Sequence, residues 1–352
     1  MSAIDIQEID PGPEHEKVML CSDPDCGYRA IIAIHSSVPG PAVGGTRFWN
    51  YASDELARVD ALRLSRGMSY KNAMAGLPFG GGKAVIIGDN RTVDREQIFR
   101  AHGRFVESFA GRLITAEDIG TTPADLEFVR LETNHVAGLL SKSGDPSPVT
   151  AYGVFRALQA SARHRWGDDE LIGRTVAIQG CGSTGYHLAK ELHATGARLV
   201  VADIDPQRVA RVVQELQATA VSPDEIVNSD ADIFAPCAFG GIINDQTIDK
   251  LRVEIVVGSA NNQLLAAKHG DALAELGILY APDYVANAGG VINGCRELLS
   301  WDEQTTRSKV KAIYETMLTL LEQAKNEGLP PFRMADQIAE QRLLVARNLH
   351  TR

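Results

Sequence analysis

The sequence predicts an α/β protein of two domains, the second built on a parallel sheet covered by helices on both faces. Three observations predict it. The chain has 352 residues, more than a single hydrophobic core ordinarily serves. Serine, glycine and proline gather in SKSGDPSPVT, residues 141–150, and break the pattern of elements there. From residue 175 onward, short apolar β-type runs alternate with amphipathic helical stretches.

Element by element, KVML and YRAIIAIH flank the turn-rich CSDPDCG and predict a β-hairpin. SDELARVDALRLSRGM predicts a helix: Ser53 stands at the N-cap, acids fill the first turn, and Leu56, Val59 and Leu62 recur on one face. AVIIG (84–88) is a short buried strand, Arg95 to Phe109 a helix, and GRLITAEDIGTT a strand followed by a loop. Beyond the break, Thr150 caps a helix whose Val154, Leu158 and Ala162 step by four, with Gly167 past its end. TVAIQ (175–179) and RLVVA (198–202) are strands on either side of a helix, YHLAKELHATG, closed by Gly196. Gln207 to Thr219 is a further helix with Val209, Val212 and Leu216 inward, and DIFAP and VEIVVG are further strands. After GILYAPDYVANAGGVING the tail from Trp301 to His350 is mainly helical.

Composition excludes several classes of function. With 44% hydrophobic and 23% charged residues the chain is ordinary for a soluble protein, and a net charge of −10 argues against a nucleic-acid or anionic-membrane surface. The opening MSAIDIQEIDPGPEHE is acidic and polar, so no export signal is expected, and no window nears a bilayer-spanning apolar run. Five cysteines, odd in number and scattered, are expected as free thiols in a reducing cytoplasm. Cys21 and Cys26 near His35 fit no zinc pattern well, and no metal is expected.

The segment GCGSTG fits the dinucleotide fingerprint GxGxxG, and its context gives it weight. It follows a predicted strand, opens a predicted helix, and is followed about 20 residues on by Asp203, which ends the next strand. Gly180 serves the tight turn, Gly182 the close approach of backbone to a diphosphate, and Gly185 the packing of helix on strand. Cys181, Ser183 and Thr184 complete the loop, and the diphosphate belongs on the helix N-terminus, where free N–H groups favour anions. Asp203, followed by Ile204, accepts from the ribose hydroxyls and repels a 2′-phosphate, so the expected cofactor is NAD. The competing reading is a βαβ turn that binds nothing.

Two lysines stand in unusual surroundings. Lys71 lies in GMSYKNAMAG and Lys83 in GLPFGGGKAVIIG, both glycine- and alanine-lined segments of low charge, and Lys83 directly precedes a buried strand. Taken alone, either could be a solvated surface group. GLPFGGGKAVIIG, however, resembles the signature of the glutamate/leucine/phenylalanine/valine dehydrogenase family. The resemblance runs over nearly the whole chain: GPAVGGTRFWNY, DALRLSRGMSYKNAMAGL, TAEDIGTT, DPSPVTAYGV, DIFAPCAFGG, GSANNQL and APDYVANAGGVIN follow in the family's order. It implies an N-terminal α/β domain for substrate binding and oligomerisation over 1–140, with C-terminal helices from about 326–352 returning to it. It also implies a Rossmann-type NAD-binding domain over 145–325, with a cleft between the two. The implied reaction is reversible oxidative deamination of an L-amino acid to its 2-oxo acid and ammonia, by a homo-oligomer.

The resemblance assigns catalysis to Lys83, proton transfer to Asp118 and the grip on the substrate α-carboxylate to Lys71. Elementary chemistry agrees: Lys83 must lose its proton to act as a base, and burial together with the charge of Lys71 is expected to lower its pKa. Glycines 80–82 are expected to let the lysine backbone approach the substrate without side chains between. For the cofactor, the resemblance points further to Thr150, Cys237, Ala238, Ala260, Asn261 and Asn287. One departure is Asn90, where family members often carry proline, at a place expected to be distant from the chemistry.

Glutamate-specific members carry a lysine before the glycine pair of GPAVGGTRF, where this chain has Val43 beside Gly44. An apolar residue there would leave a γ-carboxylate unpaired, so an apolar substrate is expected. Val43, Gly44, Val291, Gly294 and Ala116 are the expected pocket wall. Gly294 replaces a larger residue common in leucine enzymes and widens it. Leucine or another branched-chain amino acid is the first expectation and phenylalanine the second. Two further readings remain: another NAD-dependent redox reaction, and a non-catalytic nucleotide-binding module, neither of which needs Lys71, Lys83 and Asp118 together.

Overall fold

The computed structural model describes residues 5–139 and 144–350. The chain forms two compact units, one of Met1–Gly144, Gly294–Trp301 and Ala339–Arg352, the other of Asp145–Asn293 and Asp302–Ile338. The division falls in the stretch where the break in pattern stands, of which 141–143 lie outside the described residues. Gly294–Trp301 and Ala339–Arg352 group with the first unit.

The first unit contains β1 (Asp5–Ile9), β2 (Lys17–Asp23), β3 (Tyr28–Ser36), β4 (Ala42–Trp49), α1 (Asp54–Met74), β5 (Gly80–Ile87), α2 (Arg95–Glu107), β6 (Leu113–Glu117) and α3 (Pro123–Arg130). Its sheet has the order β1-β2-β3-β5-β4-β6, antiparallel from β1 to β5 and parallel across β5, β4 and β6. The expected hairpin is β2–β3, with Asp23 opposite Tyr28 at its turn. Phe48, Phe99, Phe105, Leu113 and Leu126 fill the core between the sheet and α2 and α3.

Ser53 caps α1 as expected, its hydroxyl accepting from Leu56 N. The inward face of α1 differs from the expected one. Leu56 and Val59 are 54% and 50% exposed, and the buried side is Ala57, Ala61, Ser65 and Ser69. Small residues face inward because α1 lies almost backbone to backbone on β5: an ideal Cβ on Gly81 would stand 2.1 Å from Ser69 N and 2.6 Å from Ser65 O. The same geometry corrects the reading of the glycine triplet. Gly80, Gly81 and Gly82 are ladder residues of β5 in ordinary extended backbone, and Cβ atoms on Gly80 and Gly82 would meet Ser36 O at 1.9 Å and Leu113 Cδ1 at 2.5 Å. They admit neighbouring elements, so Lys83 stands inside a strand rather than behind a loop. A helix, α3, for which no expectation was made, follows the loop at once. It is closed by a capping box in which Thr122 Oγ1 accepts from Asp125 N and the Asp125 carboxylate accepts from Thr122 N.

The second unit runs through α4 (Ser147–Trp166), β7 (Thr175–Gln179), α5 (Ser183–Ala194), β8 (Arg198–Ala202), α6 (Pro206–Leu216), β9 (Thr219–Ala220), β10 (Ile233–Pro236), β11 (Ile255–Val256), α7 (Ala267–Glu275), β12 (Leu279–Tyr280), α8 (Asp283–Ala286), α9 (Gly289–Leu299), α10 (Glu303–Lys311), α11 (Ile313–Glu327) and α12 (Pro331–His350), the units' division falling inside α9 and α12. Its sheet is parallel throughout, in the order β12-β11-β10-β7-β8-β9. Val154, Leu158 and Ala162 are fully buried and Gly167 ends α4 in the left-handed conformation, both as expected. Thr150 does not cap that helix. It is the fourth helical residue and its hydroxyl donates to Pro146 O at 2.9 Å. Gln217 turns left-handed and stops α6 short of Thr219, which pairs instead in β9. α9 was not expected in the glycine-containing APDYVANAGGVING; Gly289 packs against α4, where a Cβ would meet Val149 O at 2.4 Å.

Candidate active site

In the first unit the parallel trio β5-β4-β6 assembles the charged residues. Thr46 of β4 pairs with Ala84 of β5 on one side and Glu117 of β6 on the other. Lys83 precedes Ala84 and Asp118 follows Glu117, so alternation puts both side chains on the face opposite Thr46. Gly44 and Gly45 between them allow the approach. A Cβ on Gly44 would lie 1.8 Å from Gly82 O, and one on Gly45 would lie 2.4 Å from Glu117 O and 2.8 Å from Asp118 Cβ.

Lys83 Nζ and Asp118 Oδ2 are 2.8 Å apart, with side chains only 5% and 16% exposed. Burial is the main influence on Lys83 and lowers its pKa, against the pull of Asp118 in the other direction. Arg47, whose Nε donates to the same Asp118 oxygen at 3.0 Å, is a positive neighbour that reinforces burial. Burial alone would raise the Asp118 pKa, but Lys83 and Arg47 outweigh it and hold the carboxyl below its ordinary range. Lys71 lies half-buried in the last turn of α1.

The backbone behind Asp118 is tightly held. Asp118 N donates to Thr121 Oγ1 at 2.9 Å, and that hydroxyl donates to Thr46 O at 3.0 Å. Arg95 grips Asp125 through two donors at 2.7 and 2.8 Å and gives another to Gly120 O at 2.8 Å. Asn90 stands against the loop after β6: its Nδ2 would be 3.1 Å from a Cβ on Gly120, and its backbone oxygen accepts from Arg95 Nη1 at 2.6 Å. The remaining pocket candidates of this unit are Val43, buried in β4 opposite Gly81 and Ile114, half-buried Ala116, and Gly294, whose absent Cβ would face open space. Val291 is half-buried and belongs to the second unit.

In the second unit the expected cofactor residues gather along the carboxyl edge of one parallel sheet. β7 is the switch point, with β8 on one side and β10 on the other, the place where such sheets open a crevice. The glycines behave as their spacing implies. Gly180 has φ +99° and a Cβ there would crowd Ala238 N at 3.0 Å; one on Gly185 would strike Gly180 O at 2.0 Å. At Gly182 a Cβ would find only Arg208 Nη1, at 3.7 Å, so the loop is open where a diphosphate would lie. Gly182 is the N-cap of α5, and among the described residues no side chain caps that end. Ser183 is exposed and its hydroxyl donates to Asp145 Oδ2 at 3.0 Å, while Thr184 is half-buried.

Asp203 is turned toward that loop, accepting from Cys181 N at 2.6 Å and from Asp205 N at 2.9 Å, and Ile204 beside it is 83% exposed. Burial pushes the Cys181 thiol up to about 12, so it stays a neutral thiol. Farther along the edge, Cys237 N donates to Gln179 O and Ala260 N to Pro236 O. Asn287 Nδ2 donates to Asn261 Oδ1 at 2.9 Å and to Ser259 O at 3.1 Å, yet the Asn287 Oδ1 is buried without a partner among the described residues. An orphaned acceptor on the same sheet edge as an open glycine loop and the N-terminus of α5 fits a dinucleotide ending in a carboxamide. Thr150 lies close by, its Oγ1 2.8 Å from where a Gly290 Cβ would be.

Sequence reasoning missed Arg47, Asp60, Tyr51 and Arg208. Arg47 was visible in GGTRFWNY, but its partnership with Asp118 depends on the pairing of β4 with β6. Fold and site define the class: an oxidoreductase with a dinucleotide-binding sheet in one unit and a buried amine–carboxylate pair in the other.

Comparison with known proteins agrees. The Glu/Leu/Phe/Val dehydrogenase dimerisation-domain model matches residues 15–135, the Glutamate/Leucine/Phenylalanine/Valine dehydrogenase model residues 203–350, and a TrkA-N domain model residues 176–229. Leucine dehydrogenase of Geobacillus stearothermophilus is 51% identical over 94% of this chain and 91% of its own. Valine dehydrogenase of Streptomyces coelicolor is 47% identical over 95% and 93%. Among solved structures, L-tryptophan dehydrogenase from Nostoc punctiforme superposes with a TM-score of 0.83 at 44% identity, covering 95% of this chain and 97% of that one. The chain belongs to the glutamate/leucine/phenylalanine/valine dehydrogenase family.

Proposed function

We propose that this enzyme catalyses NAD-dependent, reversible oxidative deamination of an apolar L-amino acid, leucine and its branched relatives first, to the 2-oxo acid and ammonia. The observation that carries the proposal is the buried Lys83–Asp118 pair, 2.8 Å apart, whose lysine has a lowered pKa. A lysine held merely for stability gains nothing from losing its charge; a base needs to. The dinucleotide, when bound, supplies the acceptor for a hydride from the substrate Cα. Lys71 remains protonated and pairs with the α-carboxylate. Lys83, as the free amine, takes a proton from the water that adds to the oxidised carbon, and Asp118 receives the proton of the substrate ammonium.

Asp203 favours NAD over NADP, since a carboxylate at the ribose repels a 2′-phosphate. Val43 in place of a cation disfavours an acidic side chain. The open space at Gly294 supports a second reading, an aromatic substrate such as phenylalanine. The first family model is described as a dimerisation domain, which supports an assembly of identical copies. The test is a panel of L-amino acids with NAD, following NADH, on wild type and Lys83→Ala. Turnover on leucine, valine, isoleucine or phenylalanine is expected, with kcat down at least about 100-fold in the variant. Glutamate turned over as fast as leucine would sink the pocket argument, and an active variant would remove Lys83 from its role.

A further inference from the structure

Asp118 Oδ2 accepts from two cations, Lys83 Nζ at 2.8 Å and Arg47 Nε at 3.0 Å. The guanidinium continues outward: Nη1 donates to Asp60 Oδ2 at 2.8 Å, and the same oxygen takes the Tyr51 hydroxyl at 2.6 Å. The Arg47, Asp60 and Asp118 side chains are only 16%, 17% and 16% exposed, so each charge in this row depends on its neighbours for stabilisation. On the reading above, Lys83 alternates between charged and neutral. Whenever it gives up its proton, Asp118 loses one of two cations, and a buried carboxylate left alone tends to take up a proton itself. The Arg47 guanidinium does not deprotonate, so its charge stays when that of the lysine has gone.

We propose that Arg47 is a positioning residue of the reaction: clamped by Asp60 and Tyr51, it keeps Asp118 ionised and aimed at Lys83 in both protonation states of the lysine. The inference rests on the roles proposed for Lys83 and Asp118. Three elements bring charge to the lysine: the segment behind β6 brings Asp118, β4 brings Arg47, and α1 brings Asp60, with Lys71 in its last turn. On β3, His35 bonds Ser69 Oγ at 2.8 Å, and burial holds its pKa down to about 4, so it stays neutral where the enzyme would work. Tyr51 stays a phenol, because burial and its bond to Asp60 push its pKa up. Arg47 and Asp60 therefore act on Lys83 with opposite signs, the first favouring the free amine and the second the ammonium.

That opposition distinguishes positioning and charge from mere packing. Steady-state kinetics on the full chain, with leucine and NAD, are to be read across the pH range where lysines and carboxylates titrate. Arg47→Gln is expected to lower kcat at least about tenfold with little change in KM, and to move the acidic limb of kcat about one pH unit upward. Arg47→Lys, which keeps the charge, restores most of the profile, and Asp60→Asn moves the limb downward. An Arg47→Gln enzyme with wild-type kcat and an unmoved limb overturns the inference, as do Arg47→Gln and Asp60→Asn limbs that move the same way. Should circular dichroism show Arg47→Gln to be unfolded, the Asp60→Asn limb decides: downward supports the inference, unmoved overturns it. An active Lys83→Ala enzyme fells the parent reading and this one together. An inactive one beside an unchanged Arg47→Gln profile fells this one alone.

Discussion

A buried histidine beneath the site sets a measurable limit on acid stability. His102 is fully buried in α2, its Nδ1 hydrogen-bonded to Tyr28 OH at 2.8 Å and its Nε2 to Thr46 Oγ1 at 2.7 Å. Thr46 continues to Thr115 Oγ1 at 2.5 Å, and its backbone oxygen receives the Thr121 hydroxyl that holds Asp118 N. Both ring nitrogens meet hydroxyls, which can donate or accept, so it is burial rather than the bonding pattern that keeps the ring neutral. Burial depresses the His102 pKa from the ordinary 6.5 to about 3. The unfolded chain therefore binds a proton that the folded chain refuses throughout that interval. Stability is whole above about pH 6.5 and falls as the pH drops toward 3, by ~1.4 kcal/mol per pH unit. At pH 5 the loss from this one group is ~2 kcal/mol. Urea unfolding of wild type and His102→Gln at pH 7.5 and pH 5 isolates it, since every other titrating group cancels in the difference. The variant starts lower, having lost the Tyr28 bond, but its further loss on acidification is expected to be ~2 kcal/mol smaller. Parallel losses in the two proteins would refute the argument, because the ring would then protonate in place.

Two further outcomes can be checked. Gly81→Ala and Gly182→Ala should separate packing from binding: the first drives a methyl to 2.1 Å from Ser69 N and should cost ~3 kcal/mol, whereas the second meets only Arg208 Nη1 at 3.7 Å. Thermal melts should fall sharply for Gly81→Ala and stay near wild type for Gly182→Ala, while NADH titration should weaken for Gly182→Ala; the reverse pattern would contradict both placements. Asp203→Ser should lower the ratio of kcat/KM for NAD to that for NADP by ~10-fold or more, the worth of one charged hydrogen bond together with relief of repulsion. An unchanged ratio would take Asp203 away from the ribose.

What was legible in the sequence was local. Strands of the second sheet announce themselves as short apolar runs, and the fingerprint of Gly180, Gly182 and Gly185 with Asp203 is read along some twenty residues of continuous chain. What failed was long-range or small. The buried face of α1 was sought in Leu56 and Val59, because periodicity looks for bulk, yet a helix pressed onto glycines must turn alanine and serine inward. The helices α3 and α9 begin among glycine, proline and short polar residues, which read as loop until packing on neighbouring elements decides otherwise. Arg47 was passed over because nothing in its spacing relates it to Asp118; the parallel order β5-β4-β6 does. These failures share one cause. Glycines 80–82 were read as freedom granted to a substrate, when the absent Cβ atoms at 44, 45 and 80–82 are what let three strands and a helix close around one lysine. Tight closure excludes water, exclusion lowers the pKa of Lys83, and the lowered pKa in turn makes a permanent cation on the middle strand necessary for Asp118. On that chain of cause the glycines belong to the chemistry as much as the charges do, acting through packing rather than through contact with the substrate.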